Sequence, residues 1–493
     1  MGYEMKRTRR ILSLLLVLLL FTGVLSAQAA QAAQPPASRI LLSWTDDPAT
    51  TMTITWVGDS DDASVRYSTD REFSDYVEIP ATPVPNRSAI DDDGTRLTAA
   101  LTELEPAVTY WYCVGSDNNW SEKQHFTTAE RNTGSFSFMY FGDIQVAKNA
   151  VPEFAAWGDL TKSAYAKNPG AVFALQGGDI VESGISTQQW AMFLEAATGV
   201  FSQIPFMPTN GNHESRFLSG KPELYLDTFT LPQNGPEGFI EEFYSFDYGN
   251  AHITVLNDWV FSGEQRLTDE QLSQLDAWVE ADLVSSAAAW KIVVTHVPIY
   301  AIHSDTTANK AREHWSALFE KYGVSLVLVG HQHVYSRLKP LTDGAVDFDN
   351  GVTYIMGNSG QKYYSSADET LAERTIYNTT NYQIINISGG FATVRTFNAD
   401  GGEIDYVALT PRTVSDVTRA QYIDALYRAA GLPNVTNENP FSDVAADSPY
   451  VTAIAWAAEN GIVNGVGGGR FDPNSNIRAE HVQLVLERYG GKT

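Results

Sequence analysis

The segment Val327-Leu-Val-Gly-His-Gln-His-Val-Tyr-Ser-Arg337 places two histidines one residue apart, directly after an apolar run that ends in glycine. The same arrangement recurs along the middle of the chain. Apolar runs with strand character, Phe136 to Phe141, Ala171 to Leu175, Ile292 to Thr295 and Ser325 to Val329, each pass straight into a cluster of Asp, Asn, His and Gly. In order, the clusters read Gly142-Asp143-Ile144-Gln145, Gly178-Asp179, Gly211-Asn212-His213-Glu214, Thr295-His296 and Gly330-His331-Gln332-His333. Buried-looking strands alternating with helical segments such as Asp269 to Leu283 predict an α/β (α+β) domain over residues 134–409. In such sheets ligands collect beyond the carboxyl ends of the strands, where these clusters fall.

A lone Gly-Asp after a strand is ordinarily a turn, and an isolated His296 is ordinarily a satisfied core histidine. Five clusters in one domain are hard to obtain as separate turns. Carboxylate and imidazole together suit Zn, Mn or Fe, whereas calcium takes oxygen alone and a structural zinc site usually takes thiolates. The chain has one cysteine, Cys113, which excludes a thiolate site and an internal disulfide. Six donors exceed one tetrahedral ion, and a two-metal site needs an anionic bridge that an aspartate can supply. The glycines suit sharp turns that bring backbone close to ions and substrate.

A length of 493 residues predicts several domains. Residues 1–29 read as a secretory signal: Lys6, Arg7, Arg9 and Arg10 precede the apolar run Ile11 to Leu25, and Ala27-Gln28-Ala29 offers a cleavage site. An uncleaved anchor is the alternative, although the run is short for a membrane span. Removing the segment takes away four basic residues and one acidic residue, so the formal net charge moves from −26 to −29. Such a charge repels nucleic acid and anionic membranes. Residues 38–128 alternate like a small β-sandwich, with strands such as Met52 to Trp56 and Val108 to Val114. From Thr413 to Thr493 the texture becomes helical, at Arg419 to Ala430 and Tyr450 to Asn460, with a glycine-rich turn at Asn464 to Gly469 and Pro35-Pro36 the one obvious spacer upstream.

The order GD, GD, GNHE, a histidine after a strand, and GHxH resembles the calcineurin-like metallophosphoesterases. Trp290 to Tyr300 and Val324 to Arg337 resemble the purple acid phosphatase branch, in which a fibronectin type III-like domain commonly precedes the catalytic one; Leu104 to Tyr110 resembles that domain's tyrosine corner. The resemblance implies that Asp143 and His333 hold the first metal, that Asp179 bridges, and that Asn212, His296 and His331 hold the second. It gives His213 a phosphate contact and the role of general acid, with Glu214 or another carboxylate polarising it, and offers His303 as a further substrate contact. The implied reaction is in-line attack of a metal-generated hydroxide on a small phosphate ester.

Two positions depart from the branch. Glu182 stands where its members carry the tyrosinate that colours them, so a purple Fe(III) centre is not expected, and Glu182 is itself a candidate ligand. Gln145 stands where other superfamily members place a histidine, leaving that place to Gln145 or water. Two divalent or trivalent ions, Fe, Zn or Mn, are the implied cofactors. The tail resembles an S-layer homology module through Pro440 to Val444, Ala453 to Gly461, Ile462 to Gly465 and Phe471 to Pro473, one full repeat and one partial, which implies attachment to a cell-wall polysaccharide; packing or dimerisation is the alternative. His125, His252, His314 and His481 read as structural or exposed, and Tyr335 and Arg337 as braces of the GHxH turn. The expectation is therefore a secreted or wall-associated phosphomonoesterase. A phosphodiesterase at the same site, or a non-catalytic wall-binding protein on a decayed scaffold, are the alternatives.

Overall fold

The structure, a computed structural model, describes residues 37–490 apart from 59, 61, 91–93, 118, 146–149, 216–219 and 414–416. The secretion signal and the Pro35-Pro36 spacer lie outside the described residues. Residues 37–127 form two antiparallel sheets. One joins Ala37–Ser43, Met52–Gly58, Thr95–Leu101 and Thr82–Pro83, and the other is built on Ser64–Ser68 and Thr109–Ser116. Alternation sends Ile54, Trp56, Leu97, Val65, Tyr112 and Val114 into one core. The Tyr110 hydroxyl accepts the Glu105 N–H at 2.9 Å, closing the tyrosine corner. Cys113 is buried in this domain.

Two large sheets build the central domain, with a two-stranded one at Leu341–Thr342 and Ala345–Val346 beside them. The first runs, in spatial order, Phe206–Thr209, Ala171–Gly177, Ser135–Phe141, Asn381–Ser388, Phe391–Asn398 and Glu403–Leu409. The second runs Tyr244–Tyr248, Ala251–Val255, Trp290–Val294, Val324–Val329, Thr353–Met356, Tyr335–Leu338 and Ala372–Ile376. The period of two decides how they pack. Ile292, Val294, Leu326 and Leu328 join Phe138, Leu175 and Ile385 in a core between the sheets. Val293, Val327 and Val329 face the other way, onto Leu275 and Val279 of helix Asp269–Ser285 and Ala311, Trp315 and Phe319 of helix Thr306–Lys321. Apolar residues four apart on these helices form the stripe that covers the sheet. The strand at Ala171 runs on to Gly177, past the predicted end at Leu175, and the one predicted over Ile292 to Thr295 spans Trp290–Val294.

The three parts share packing. Trp44 meets Phe173 edge-on at 5.6 Å, the Tyr112 hydroxyl donates to the Ser202 carbonyl, and Arg87 reaches Glu241 at 3.0 Å. In the tail, helices occupy Arg419–Ala429, Val451–Glu459 and Ala479–Gly490. Tyr422 donates to the Val284 carbonyl, and Tyr422, Leu426 and Ile454 continue the apolar cluster of Leu283 and Val284. Among the described residues, no helix is long and apolar enough to cross a membrane.

Candidate metal centre

The parallel strands of both sheets end on one edge, and the polar clusters meet there. Asp143 and Asp179 follow neighbouring strands of the first sheet, with Asn212 in the short helix Asn212–Ser215 just after the third; His296, His331 and His333 follow neighbouring strands of the second. The sheets touch here through a bridge between Asp143 and Asn358. Asp179, His331 and His333 all hold positive φ, at 53°, 73° and 45°. Left-handed backbone at non-glycine residues is costly and persists where surrounding contacts impose it. Gly330 must be glycine because a Cβ there would lie 2.0 Å from Asp143 Oδ1.

The donor atoms converge. His296 Nε2 is 3.3 Å from Asp179 Oδ2, 3.2 Å from Asn212 Oδ1 and 3.1 Å from His331 Nδ1. His333 Nδ1 is 3.5 Å from Asp143 Oδ2. Metal–ligand bonds of about 2.0–2.2 Å make neighbouring donors roughly 3.0–3.5 Å apart, which is this spacing. Both imidazoles of the second position turn their other nitrogen toward the cluster: His296 Nδ1–H donates to the Gly177 carbonyl, and His331 Nε2 bonds Asp305 Oδ2 at 3.0 Å. Such outward anchoring orients a ligating histidine. Among the described residues, Asp143 Oδ2 and Gln145 Oε1 are buried without a hydrogen-bond partner. Buried polar atoms are nearly always paired, so these two await a ligand.

Electrostatics agree with a cation. Burial lifts the Asp143 carboxyl above its ordinary range, and neighbouring Asp179 adds to the lift. Burial also works against the charge of Asp179, but His296 and His213 outweigh it and hold that carboxylate low. Burial lowers His331, and burial with the Lys362 ammonium pushes His333 down to about 3. Both rings are therefore neutral, the form that binds metal. His296 is opposed by burial yet raised by Asp179 and Asp143, so these carboxylates demand positive charge beside them.

Of the carboxylates expected to polarise His213, Glu214 makes no contact with the ring, and Glu182 is the one beside it, 3.7 Å from Nδ1. The Glu214 carboxylate instead accepts four backbone N–H groups, those of Asp179, Ile180, Val181 and Gly211, and so holds the second and third clusters together. Helix geometry turns Glu214 inward from the other side of the turn. His213 Nδ1 donates to the Glu182 carbonyl at 2.6 Å, leaving Nε2 at 3.9 Å from Asp179 Oδ2. The Glu182 carboxylate is 3.7 Å from His213 Nδ1, at the rim, and no contact joins it to the other donors. Gln145 Nε2 reaches Asp179 Oδ2 at 3.0 Å and His333 Nε2 at 2.9 Å. His303 lies with its ring 5.3 Å from Tyr364, which also meets His333 at 5.1 Å.

Sequence reasoning missed Asp305, Asn358, Lys362 and Asp258, which accepts the backbone N–H of Val297 beside His296 at 2.7 Å. Asp305 caps helix Thr306–Lys321, so an Asp before a helical run was a local signal, but its tie to His331 was not. Tyr335 and Arg337 both bind Asp405, at 2.6 and 2.7 Å, bracing the strand after the GHxH turn. His252 is clamped between Asp247 and Asp282, and His314 bonds Asp276, away from the centre.

Family models match three stretches: the purple acid phosphatase N-terminal domain at residues 37–128, calcineurin-like phosphoesterase at 136–335, and the S-layer homology domain at 440–478. An acid phosphatase type 7 of Homo sapiens is 27% identical over 362 residues, covering 66% of this chain and 76% of that protein. An uncharacterized protein of Mycobacterium tuberculosis is 25% identical over 352 residues, and the match covers 65% of this chain and 66% of that protein. A purple acid phosphatase from yellow lupin seeds shares the fold, with a TM-score of 0.63 at 19% identity over 76% of this chain and 74% of that one. The chain is accordingly a purple acid phosphatase-like metallophosphoesterase, a calcineurin-like phosphoesterase domain set between a purple acid phosphatase N-terminal domain and an S-layer homology domain.

Proposed function

We propose that this chain is a secreted or wall-associated phosphatase that hydrolyses phosphomonoesters at a two-ion centre. The observation that carries the reading is the convergence of Asp179, His296 and His331 into one metal-competent group, with Asp143, Asn212 and His333 on its flanks. Asp143 and His333 would hold the first ion, Asn212, His296 and His331 the second, and Asp179 would serve both. When bound, the ions acidify water and neutralise phosphoryl charge. The chain's residues then do the rest. His213, anchored through Nδ1 on the Glu182 carbonyl, presents Nε2 on the Asp179 side and, when protonated, donates to the departing alkoxide. Glu214 fixes the backbone that carries Asp179 and Asn212. His303 borders the substrate.

The domain limits that go with this reading are 38–128, 134–409 and 413–493, after a signal over 1–29. The tail gives the exported chain a contact with cell-wall polysaccharide, and the strong acidity of the chain excludes nucleic acid as a partner held by charge. The absence of a tyrosine at Glu182 goes with a colourless divalent pair. A phosphodiester fits the same ions, since the choice between esters lies in the rim. The test is metal analysis of the purified exported protein with turnover of mono- and diester substrates before and after chelation. Two bound ions with chelator-sensitive monoesterase activity is the expected result, and a protein with no metal and no hydrolysis under any added divalent ion overturns it.

A further inference from the structure

Thr353–Met356 runs parallel to Val324–Val329, the strand before His331 and His333, and delivers one more loop to the edge where the donors meet. That loop, Gly357-Asn-Ser-Gly-Gln-Lys-Tyr-Tyr364, is strapped to the candidate centre at both ends. At its start, the Ser359 N–H donates to the Asp143 carbonyl at 2.9 Å, and the Ser359 hydroxyl accepts the Gly142 N–H at 3.1 Å. At its end, the Tyr364 N–H donates to the His333 carbonyl at 3.1 Å. Between the straps, the Asn358 amide donates to the Lys362 carbonyl at 3.0 Å and shapes the turn. Lys362 is half-buried, and among the described residues its ammonium has no ion-pair or hydrogen-bond partner. Burial is the larger influence on Asp143 and His333, but the Lys362 charge reaches both, favouring the carboxylate of one and disfavouring a proton on the other. A cation held beside positions that take metal ions is repelled by them unless an anion lies between.

We infer that Lys362 grips the phosphoryl group of the substrate and makes the centre select dianionic phosphomonoesters over monoanionic diesters. This rests on the two-ion phosphatase reading above. A monoester has a second pKa of about 6, so near neutral pH it spreads close to two negative charges over three non-bridging oxygens. A diester spreads one charge over two such oxygens, and an uncharged ester oxygen takes the place of the third. An ammonium beside the first position therefore gains a charged acceptor from the monoester that the diester lacks. Its three donors and compact charge suit an oxyanion met from several directions. Lys362 makes and breaks no bond, since protonation of the leaving group falls to His213.

The experiment uses the full-length protein with its metal content measured, as wild type, Lys362→Gln and Lys362→Arg. It reads kcat and KM for p-nitrophenyl phosphate and bis(p-nitrophenyl) phosphate, and the Kd of inorganic phosphate by calorimetry. Lys362→Gln is expected to raise the monoester KM and the phosphate Kd about tenfold, the low end for a hydrogen bond between charged groups, as suits a half-buried position. The diester loses less, so the monoester-to-diester ratio of kcat/KM falls. Lys362→Arg restores both readings, and metal content stays at the wild-type level in each variant. Equal losses on the two esters, or an unchanged phosphate Kd, would overturn this inference and leave the phosphatase reading standing. A wild type with neither bound metal nor hydrolysis overturns both, and does so before any substitution is made.

Discussion

Asp305 accepts the outer N–H of His331 at 3.0 Å with one carboxylate oxygen, while the other oxygen accepts the backbone N–H groups of Thr307 and Ala308. One side chain thus caps a helix and orients a candidate ligand. Asp305→Ala is expected to weaken binding of the second ion about 10–100-fold. It also removes a helix cap worth about 1 kcal/mol. Calorimetric titration together with denaturant unfolding separates the two effects, and unchanged metal affinity would remove Asp305 from the site.

Ligand loss is checked by heat. An ion at about 100 times its Kd stabilises the folded chain by about 2.7 kcal/mol. His331→Ala and Asn212→Ala should each retain one ion and show a smaller rise in Tm on metal addition than the wild type. Thermal scans with and without chelator measure it.

His213→Ala keeps both ions, since its ring is not among the assigned donors, and lowers kcat about 10²–10⁴-fold. The measurement is turnover at saturating substrate alongside metal content. A variant that turns over normally would end the general-acid assignment.

Glu214→Gln replaces one carboxylate oxygen by an NH₂ group that cannot accept, so two of the four N–H groups it gathers are left unpaired. Each buried orphan costs about 1–3 kcal/mol. Unfolding in urea should move to lower denaturant, and metal content should fall with it because the same backbone carries Asp179.

His252 tests pH dependence away from the centre. Burial opposes its charge, but Asp282 and Asp247 overcome this and push its pKa up to about 10. The unfolded value is about 6.5, so the folded state binds the proton more tightly. That contribution is whole below about pH 6.5 and fades as pH climbs toward 10. Lys291, lowered to about 8 by burial, works in the opposite sense over a neighbouring range. Comparison with His252→Asn isolates the histidine: the stability advantage of the wild type should shrink from pH 6 to 10. A constant difference would show that the clamp carries no proton linkage.

The residues that meet at the candidate centre could be picked out in the sequence because each is local to its motif. A strand, a glycine and then Asp143, Asp179 or His331 are neighbours in the chain, as are a strand, Thr295 and His296, and the near-continuous apolar run Val324–Val329 marked a strand buried on both faces. The tyrosine corner at Tyr110 and the bracing role of Tyr335 and Arg337 were readable for the same reason: their patterns are short. Helix ends were readable to within a residue or two where caps such as Thr268 stand at the start.

What only the tertiary structure decided are the pairings between distant segments. Gln145 meets His333 across 188 positions, Tyr335 meets Asp405 across 70, and His331 meets Asp305 across 26. Glu214 seemed from its place beside His213 to be that ring's partner, yet the helical turn at Asn212–Ser215 points it at backbone brought in by another strand. Sequence determines which donors a strand end can offer, because strand periodicity and turn chemistry are local. The packing of two sheets face to face determines which atom of each donor faces inward, because hydrogen bonds from other elements claim the remaining one.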